Sequence, residues 1–458
     1  MTVPLPPKPE PRADKVSLWG HLRAFRRDIL SAQPARLYRA WMAEFRTPFF
    51  ESYLCNDPAL VRLVLDERSE DFPKSDRVTE GLRPLLGRSV FVTNGEEWLR
   101  QRRIIDPAFE GGRVREAFPA IWAASEAAVA RMAPGEVEVE LAASHAAADV
   151  IFRTLFSIPI EDRVAQGVFQ EFRAYQRSAP ILNLGAFLPL PRWMPRLHRR
   201  ATRRSARAIR GLIEGLTSER AAAIAAGTAP DDLATKIMTT PDPVSGARFG
   251  TAEMVDQVAI FFLAGHETSA SALGWALYLL ATHPEVQERV AAEAAGLRPE
   301  FGVVGSLRFT RDVFREALRL YPPVPMLVRE TVRPEEFRGR AVKRGAQVVI
   351  SPWHLHRHER LWERPDAFDP DRWAGEGREA AREGYLPFSR GARVCPGAGF
   401  AMLEGTLLLA HLVRAFRFEA VEGRLPVPVA HLTVRAKDGI WLRVSRREGG
   451  VEPHLAEP

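Results

Sequence analysis

The segment Phe388-Ser389-Arg390-Gly391-Ala392-Arg393-Val394-Cys395-Pro396-Gly397 reads F-x-x-G-x-R-x-C-x-G. Its fixed positions, Phe388, Gly391, Arg393, Cys395 and Gly397, fit the chemistry of a thiolate ligand to haem iron. Glycines let a loop pass close to a flat macrocycle, and Arg393 can pair with a propionate. Cys395 precedes a helical run whose first free N–H groups and dipole favour a sulfur anion. The other cysteine, Cys55, lies in a strand-like run without such a setting and reads as an inert core thiol.

A second constellation is Ala264-Gly265-His266-Glu267-Thr268. Small Ala264 and Gly265 let haem and dioxygen lie close to a helix, and the Thr268 hydroxyl can hydrogen-bond into the local backbone ladder. Proton delivery needs an acid and an alcohol, and Glu267 with Thr268 supplies both. Trp98-Leu99-Arg100-Gln101-Arg102 gives W-x-x-x-R, whose spacing puts an indole donor and a guanidinium on one helix face, where both suit one propionate. Arg100 and Arg103 are expected to point elsewhere, into solvent. His354, His356 and His358 alternate, so on a strand they would share a face and could bind zinc or copper.

The elements that must position these residues are mostly helical. Apolar periodicity predicts helices at 34–45, 58–65, 113–132, 141–155, 164–177, 194–226, 251–281, 284–295, 310–321 and 399–416, with Asn94 capping another that begins at Gly95. Strand-like runs are few: 49–54, 347–351 and the alternating stretch 432–444. The apolar run 258–280 has membrane-spanning length but carries His266 and Glu267 at its centre, where a carboxylate costs about 2.5–3.5 kcal/mol on insertion scales. It reads as a buried helix. A mainly α fold with minor β follows.

Three further segments fall in order around these motifs: Glu316-Ala317-Leu318-Arg319, Tyr321-Pro322-Pro323-Val324-Pro325 and Pro370-Asp371-Arg372-Trp373. Alone, E-x-x-R also describes an ordinary surface pair. Together with the cysteine loop and the A-G-x-E-T helix, the sequence over about residues 19–458 resembles the cytochrome P-450 haem-thiolate monooxygenases of the soluble bacterial type. The resemblance implies a helical bundle around haem b with Cys395 as axial ligand. It also implies a structural cluster of Glu316, Arg319 and Arg372 that holds the cysteine loop. Trp98, Arg102 and Arg329 become propionate ligands, and Glu267 and Thr268 relay protons to dioxygen. The histidine run takes packing roles. Positions that line the pocket in similar proteins are apolar here: Phe261, Phe262, Val324, Met326, Leu327 and Leu432. The segment 179–194 is expected to form a proline-punctuated lid.

The implied activity inserts one atom of O2 into a lipophilic organic substrate. Electrons come from NAD(P)H through a separate ferredoxin or flavodoxin and its reductase, because no flavin or iron–sulfur domain fits in the remaining length. Arg103, Arg390 and Arg393 are expected to make the thiolate side electropositive for an acidic partner. Two alternatives stay open: a peroxide-driven peroxygenase of the same fold, against which the Glu–Thr pair argues, and a non-catalytic haem-binding or sensing protein.

The 458 residues, 46% hydrophobic and 26% charged, exclude disorder for most of the chain, and two cysteines exclude a disulfide framework. The formal charge is +7, but only six of the 64 basic residues are lysine, and no aromatic-interleaved basic run points to nucleic acid. Residues 1–18 carry prolines without an apolar leader, which predicts a floppy or extended lead-in and no membrane anchor. A cytoplasmic monomer is the resulting expectation.

Overall fold

The longest element is a 32-residue helix, Thr251–Thr282, apolar on almost every side and therefore buried on almost every side. It starts where the Glu253 carboxylate accepts the Gly250 N–H at 3.0 Å and stops at His283-Pro284, because proline cannot continue the ladder. The computed structural model describes residues 5–14, 16–46, 51–110, 112–177, 200–375 and 377–448.

In chain order the helices are α1 (Leu18–Arg27), α2 (Pro58–Arg62), α3 (Asp76–Leu86), α4 (Gly95–Ile105), α5 (Arg113–Glu116), α6 (Phe118–Arg131), α7 (Val139–Phe156) and α8 (Arg163–Arg177). Then follow α9 (Arg200–Ala225), α10 (Leu233–Thr239), α11 (Thr251–Thr282), α12 (Pro284–Ala294), α13 (Arg308–Leu320), α14 (Pro352–Leu355), α15 (Gly377–Gly384) and α16 (Ala398–Ala415). Around α11 pack α7, α9, α13 and α16, and their apolar faces form one continuous core.

The strands are β1 (Met42–Arg46), β2 (Glu51–Cys55), β3 (Gly135–Glu138), β4 (Leu327–Glu330), β5 (Glu335–Phe337), β6 (Arg340–Val342), β7 (Gln347–Ile350), β8 (Phe416–Ala420), β9 (Pro428–Ala430), β10 (Val434–Ala436) and β11 (Trp441–Arg446). The largest sheet runs β1-β2-β7-β4, with β2 parallel to β7 and the other pairs antiparallel. It covers a second, smaller core that includes Tyr53, Cys55, Phe72, Phe337 and Leu386.

The mainly α expectation holds, and most helices fall within two or three residues of where periodicity put them. One does not. Residues 34–45 form a single 3-10 turn, Ala35–Tyr38, followed by β1, because Met42–Arg46 finds backbone partners in β2 in the register Met42↔Cys55. Pairing across the sheet outweighs a local helical stripe. Residues 432–444 divide into β10 and β11 around Gly439, whose φ is +78°. Periodicity also missed α1, α3, α10, α14 and α15. The expected lid and the start of the helix predicted from residue 194 lie outside the described residues.

The proline-rich lead-in is extended, and it is tied down. The Tyr321 hydroxyl donates to the Pro7 carbonyl at 2.9 Å, Lys8 pairs with Asp366, and Arg12 reaches the Ala32 carbonyl at 2.7 Å. Proline-rich backbone is already extended, so docking it forfeits little entropy.

Close helix crossing is limited by side-chain volume. A Cβ at Gly405 of α16 would lie 2.1 Å from the Phe314 ring of α13, whereas one at Gly211 on α9 meets nothing within 4 Å. Gly405→Ala is therefore expected to lower stability by about 1–3 kcal/mol through overpacking. Gly211→Ala is expected to raise it by about 0.5–1 kcal/mol. Urea unfolding midpoints of the two variants should move in opposite directions; a shared direction would refute this account of the crossing.

Candidate active site

The cysteine loop is held by backbone geometry that its sequence demands. Gly391 sits at φ +70°, and a Cβ there would lie 2.1 Å from the Leu65 carbonyl oxygen. Ser389 shares the left-handed region at φ 61°. The Cys395 N–H donates back to the Phe388 carbonyl at 2.9 Å, and Val394 N–H to Gly391 at 3.0 Å, closing the loop ahead of α16. Cys395 itself is exposed on its open side, and nothing lies within 4 Å of a Cβ position at Gly397. Surrounding protein pushes the Cys395 thiol up, while the Gly397 N–H and Arg102 act in the opposite direction. Cys55 is wholly buried, with its thiol pushed up to about 12 by burial and Asp57, which makes it unreactive, as its sequence setting implied.

Beside this loop stands a group of cations with little to neutralise them. Arg393 lies over the Trp98 ring at 4.3 Å, with its Nε and Nη1 buried and, among the described residues, without a hydrogen-bond partner. Arg329 is 7% exposed and, among the described residues, its guanidinium donates only to its neighbour's carbonyl, Val328, at 3.2 Å; burial and Arg393 bring it down to about 10. Lys74 was not legible in the sequence, where it is one lysine in a loop. It donates to the carbonyls of Val90 at 2.6 Å and Thr93 at 3.0 Å and stands 5.7 Å from the Trp98 ring. Burial, then Arg393, Arg329 and Arg102, holds its ammonium well below the usual range. Arg102 has an ion pair, bonding Asp106 at 2.9 Å, and also bonds the Val394 carbonyl at 2.7 Å.

Buried cations without counterions are costly. A ligand with two carboxylates would neutralise them, and a soft metal would match the open thiolate. The residues present thus fit iron protoporphyrin, with Cys395 toward the metal and Lys74, Trp98, Arg329 and Arg393 toward the propionates. Asn94 stands at the N-terminus of α4, but its amide bonds the backbone of Lys74 at both N–H (3.0 Å) and carbonyl (3.1 Å) instead of capping the helix. That contact fixes the lysine.

On α11, Ala264 is exposed although its neighbours Leu263 and Phe262 are buried, so it borders open space. Gly265 departs from expectation: a Cβ there would lie 2.3 Å from the Ile151 Cδ1 of α7, so this glycine serves helix packing. The Thr268 hydroxyl donates to the Ala264 carbonyl at 2.5 Å, the i−4 bond expected of it. Glu267 accepts from the Thr433 hydroxyl at 2.6 Å. One residue beyond Thr268, Ser269 donates at 2.8 Å to Glu404 of α16, whose carboxyl burial raises to about 8. Phe262 does not line a pocket: at 2% exposure it packs on Phe152, with ring centroids 4.5 Å apart, and on Phe172 at 6.0 Å. Phe261, Val324, Met326 and Leu432 are partly buried. Leu327 is also partly buried, against the smaller core.

Glu316 and Arg319 meet side by side, Nε to Oε2 at 2.9 Å and Nη2 to Oε1 at 2.7 Å, with both side chains fully buried. Arg372 joins at 3.3 Å. The expected cluster is therefore assembled. Arg319 also donates to the carbonyls of His356 (2.7 Å), Pro365 (2.6 Å) and Ala367 (2.8 Å).

The histidines do not converge. His354 bonds Ser351 at 2.8 Å, and His358 stacks on Trp41 at 4.3 Å. His356 donates from Nδ1 to the Arg319 carbonyl at 3.1 Å and accepts the Leu386 N–H at Nε2, 2.7 Å away. Among the described residues no cluster of metal-ligating side chains is arranged to hold an ion. Arg100 and Arg103 are not solvated but paired, with Glu253 at 2.6 Å and Asp242 at 2.6 Å. Arg390 pairs with Asp66 at 2.6 Å. Of the three arginines expected to make the thiolate side electropositive, Arg103 and Arg390 are thus each paired with a carboxylate and Arg393 lies against Trp98.

The fold and site define a haem-thiolate oxygenase, and the comparisons agree. The chain belongs to the cytochrome P450 family, whose model matches residues 40–442. It is 34% identical to cyclooctat-9-en-7-ol 5-monooxygenase of Streptomyces melanosporofaciens over 89% of each chain, and 32% identical to cyclooctatin synthase of the same organism over 84% of each. The cytochrome P450DA haem domain superposes with a TM-score of 0.80 at 24% identity, covering 97% of this chain and 98% of that one. The protein is a P450 monooxygenase that uses haem iron and dioxygen, a small-molecule substrate and a redox partner. Among the described residues one helix, Ala398–Ala415, is long and apolar enough to cross a membrane, and 67% of it is buried inside the protein.

His356 links the ion-pair cluster to the chain entering the cysteine loop, and burial holds its ring down to about 3. Unfolding below the ring's ordinary 6.5 takes up a proton that the folded ring refuses. Its contribution is thus complete above that pH and lost on acidification toward 3, at up to about 1.4 kcal/mol per pH unit. His356→Gln, which can donate and accept but not titrate, is expected to show a smaller loss of urea midpoint between about pH 7 and pH 5 than the parent. An unchanged pH dependence would contradict it.

Proposed function

We propose that this monooxygenase holds haem b on Cys395 and inserts one atom of O2 into a lipophilic small molecule, by hydroxylation or epoxidation. The observation that carries the reading is the open Cys395 thiol beside Arg393, whose Nε and Nη1 are buried and, among the described residues, without a hydrogen-bond partner. When bound, the haem would supply the redox chemistry that activates dioxygen. Cys395 would hold its iron as a thiolate, a form that the Gly397 N–H and Arg102 favour. Lys74, Arg329 and Arg393 would hold the carboxylates.

Across the site, Ala264 leaves room for dioxygen. Thr268 gives its own hydroxyl hydrogen to the Ala264 carbonyl, so its Oγ1 lone pairs stay open to accept a hydrogen bond from a proton donor. Glu267 is the acid that replenishes protons there. The partly buried apolar side chains Phe261, Val324, Met326 and Leu432 favour a hydrocarbon-rich substrate, each methylene contributing about 0.8 kcal/mol on burial. The relative named for cyclooctat-9-en-7-ol, an alkenol by that name, supports the same class. Electrons come from NAD(P)H through a separate ferredoxin or flavodoxin and its reductase, to one cytoplasmic monomer with a single haem domain over residues 19–458.

Cys395→Ser should abolish the red-shifted Soret band of the ferrous carbon monoxide complex while Cys55→Ser retains it; a normal band in the Cys395 variant would end the assignment. Thr268→Ala should bind haem and substrate yet divert reducing equivalents to hydrogen peroxide, with product formation down by about 10² or more. Product per NAD(P)H at the parent ratio would exclude Thr268 from proton delivery.

A further inference from the structure

Glu267 is oriented from outside its own helix. Its Oε1 accepts a 2.6 Å hydrogen bond from Thr433, a residue 4% exposed and 166 positions away in sequence. Thr433 stands directly before β10 and directly after the apolar Leu432. That short segment is clamped on two sides. One turn beyond Glu267, the Ser271 hydroxyl donates to the Val434 carbonyl. From the other side, the Val434 N–H donates to the Pro323 carbonyl at 2.9 Å, next to Val324 and close to Met326. Hydrogen bonds therefore join the acid to both apolar segments assigned to the pocket. Glu140 of α7 and Tyr175 of α8 also lie within electrostatic reach of Glu267.

A glutamate has three rotatable side-chain bonds, so an untethered carboxyl spreads over many rotamers. A hydrogen bond from a buried hydroxyl selects among them. Resting on the reading of Glu267 as the acid, we propose that Thr433 is a positioning residue: its hydroxyl fixes the Glu267 carboxyl for proton delivery, and substrate contact with the neighbouring Leu432 thereby sets how dioxygen is partitioned between product and hydrogen peroxide. Both outcomes take two electrons from NAD(P)H, through the redox partner, and two protons per dioxygen. Oxygenation breaks the O–O bond and forms water with the product; peroxide release leaves that bond intact. The stoichiometry is shared, so the placement of the acid decides between them.

The test compares Thr433→Val, which keeps the shape and removes the hydroxyl, with Thr433→Ser, which keeps the hydroxyl, and with Glu267→Gln. The haem-loaded enzyme is used with its reductase system and the compound giving the largest low-to-high-spin shift. Thr433→Val is expected to raise peroxide per NAD(P)H severalfold with the spectral dissociation constant for that compound unchanged, and Thr433→Ser to restore the parent ratio. Independently of turnover, the infrared carboxyl or carboxylate band that disappears in Glu267→Gln should shift in Thr433→Val and return in Thr433→Ser. If Glu267→Gln uncouples but Thr433→Val does not, or if the band stays in place, the positioning role falls and the acid role survives. Unchanged coupling in Glu267→Gln overturns the acid role and this proposal with it.

Discussion

The Glu316–Arg319 pair is the constraint through which the site is held together. Both side chains are fully buried, so either one would be costly without the other, and each must saturate its remaining hydrogen-bonding capacity. Arg319 does so on the carbonyls of residues 356, 365 and 367, and Glu316 on the Asp369 N–H and Arg372. A polypeptide stretch of little regular structure is thereby fastened to α13. His356 extends the linkage from the Arg319 carbonyl to Leu386, from which the chain runs directly into the cysteine loop. The proline-rich lead-in closes the same region from outside, through Lys8 on Asp366 and Tyr321 on Pro7.

The opposite electrostatic logic governs the cation group. Where the ion-pair cluster is complete without any ligand, Arg329 is buried and Lys74 and Arg393 partly buried, with no carboxylate in an ion pair with any of the three among the described residues. That imbalance is the energetic counterpart of a dianionic cofactor. A cluster that is satisfied by itself gives rigidity, and a cluster that needs a ligand gives affinity. The two are joined through the backbone: β4 carries Arg329 and follows α13, and Lys74 bridges to Arg329 as an isolated β partner. Loading the cofactor and locking the fold are thus parts of one network.

Electrostatics also explains why surface arithmetic misleads here. A formal charge of +7 suggests free arginines. Yet Arg100, Arg103 and Arg390 each have a carboxylate within 2.6 Å, drawn from α11, from the loop before α11 or from the helical turn after α2. These pairs are partly exposed, apart from Asp242, which is buried. They leave fewer free positive charges than the formal charge implies.

What the sequence by itself determined was local chemistry and local periodicity. The cysteine loop, the E-x-x-R helix, the A-G-x-E-T segment and the long helices were legible because glycine conformation, i,i+3 and i,i+4 spacing and apolar stripes act over a few residues. What only the tertiary structure decided was which side chain each of those residues meets. Residues 34–45 became a turn and a strand because β2 offers a ladder. Gly265 serves Ile151, and Phe262 sits among the aromatic rings of α7 and α8. Lys74 belongs to the propionate group, and the hydroxyl that orients Glu267 comes from Thr433. None of these partners lies within a helix turn of the residue it serves. A hydrogen bond or a counterion acts at about 3 Å in space whatever the separation along the chain, so a single sequence carries no sign of it until folding brings the two ends together.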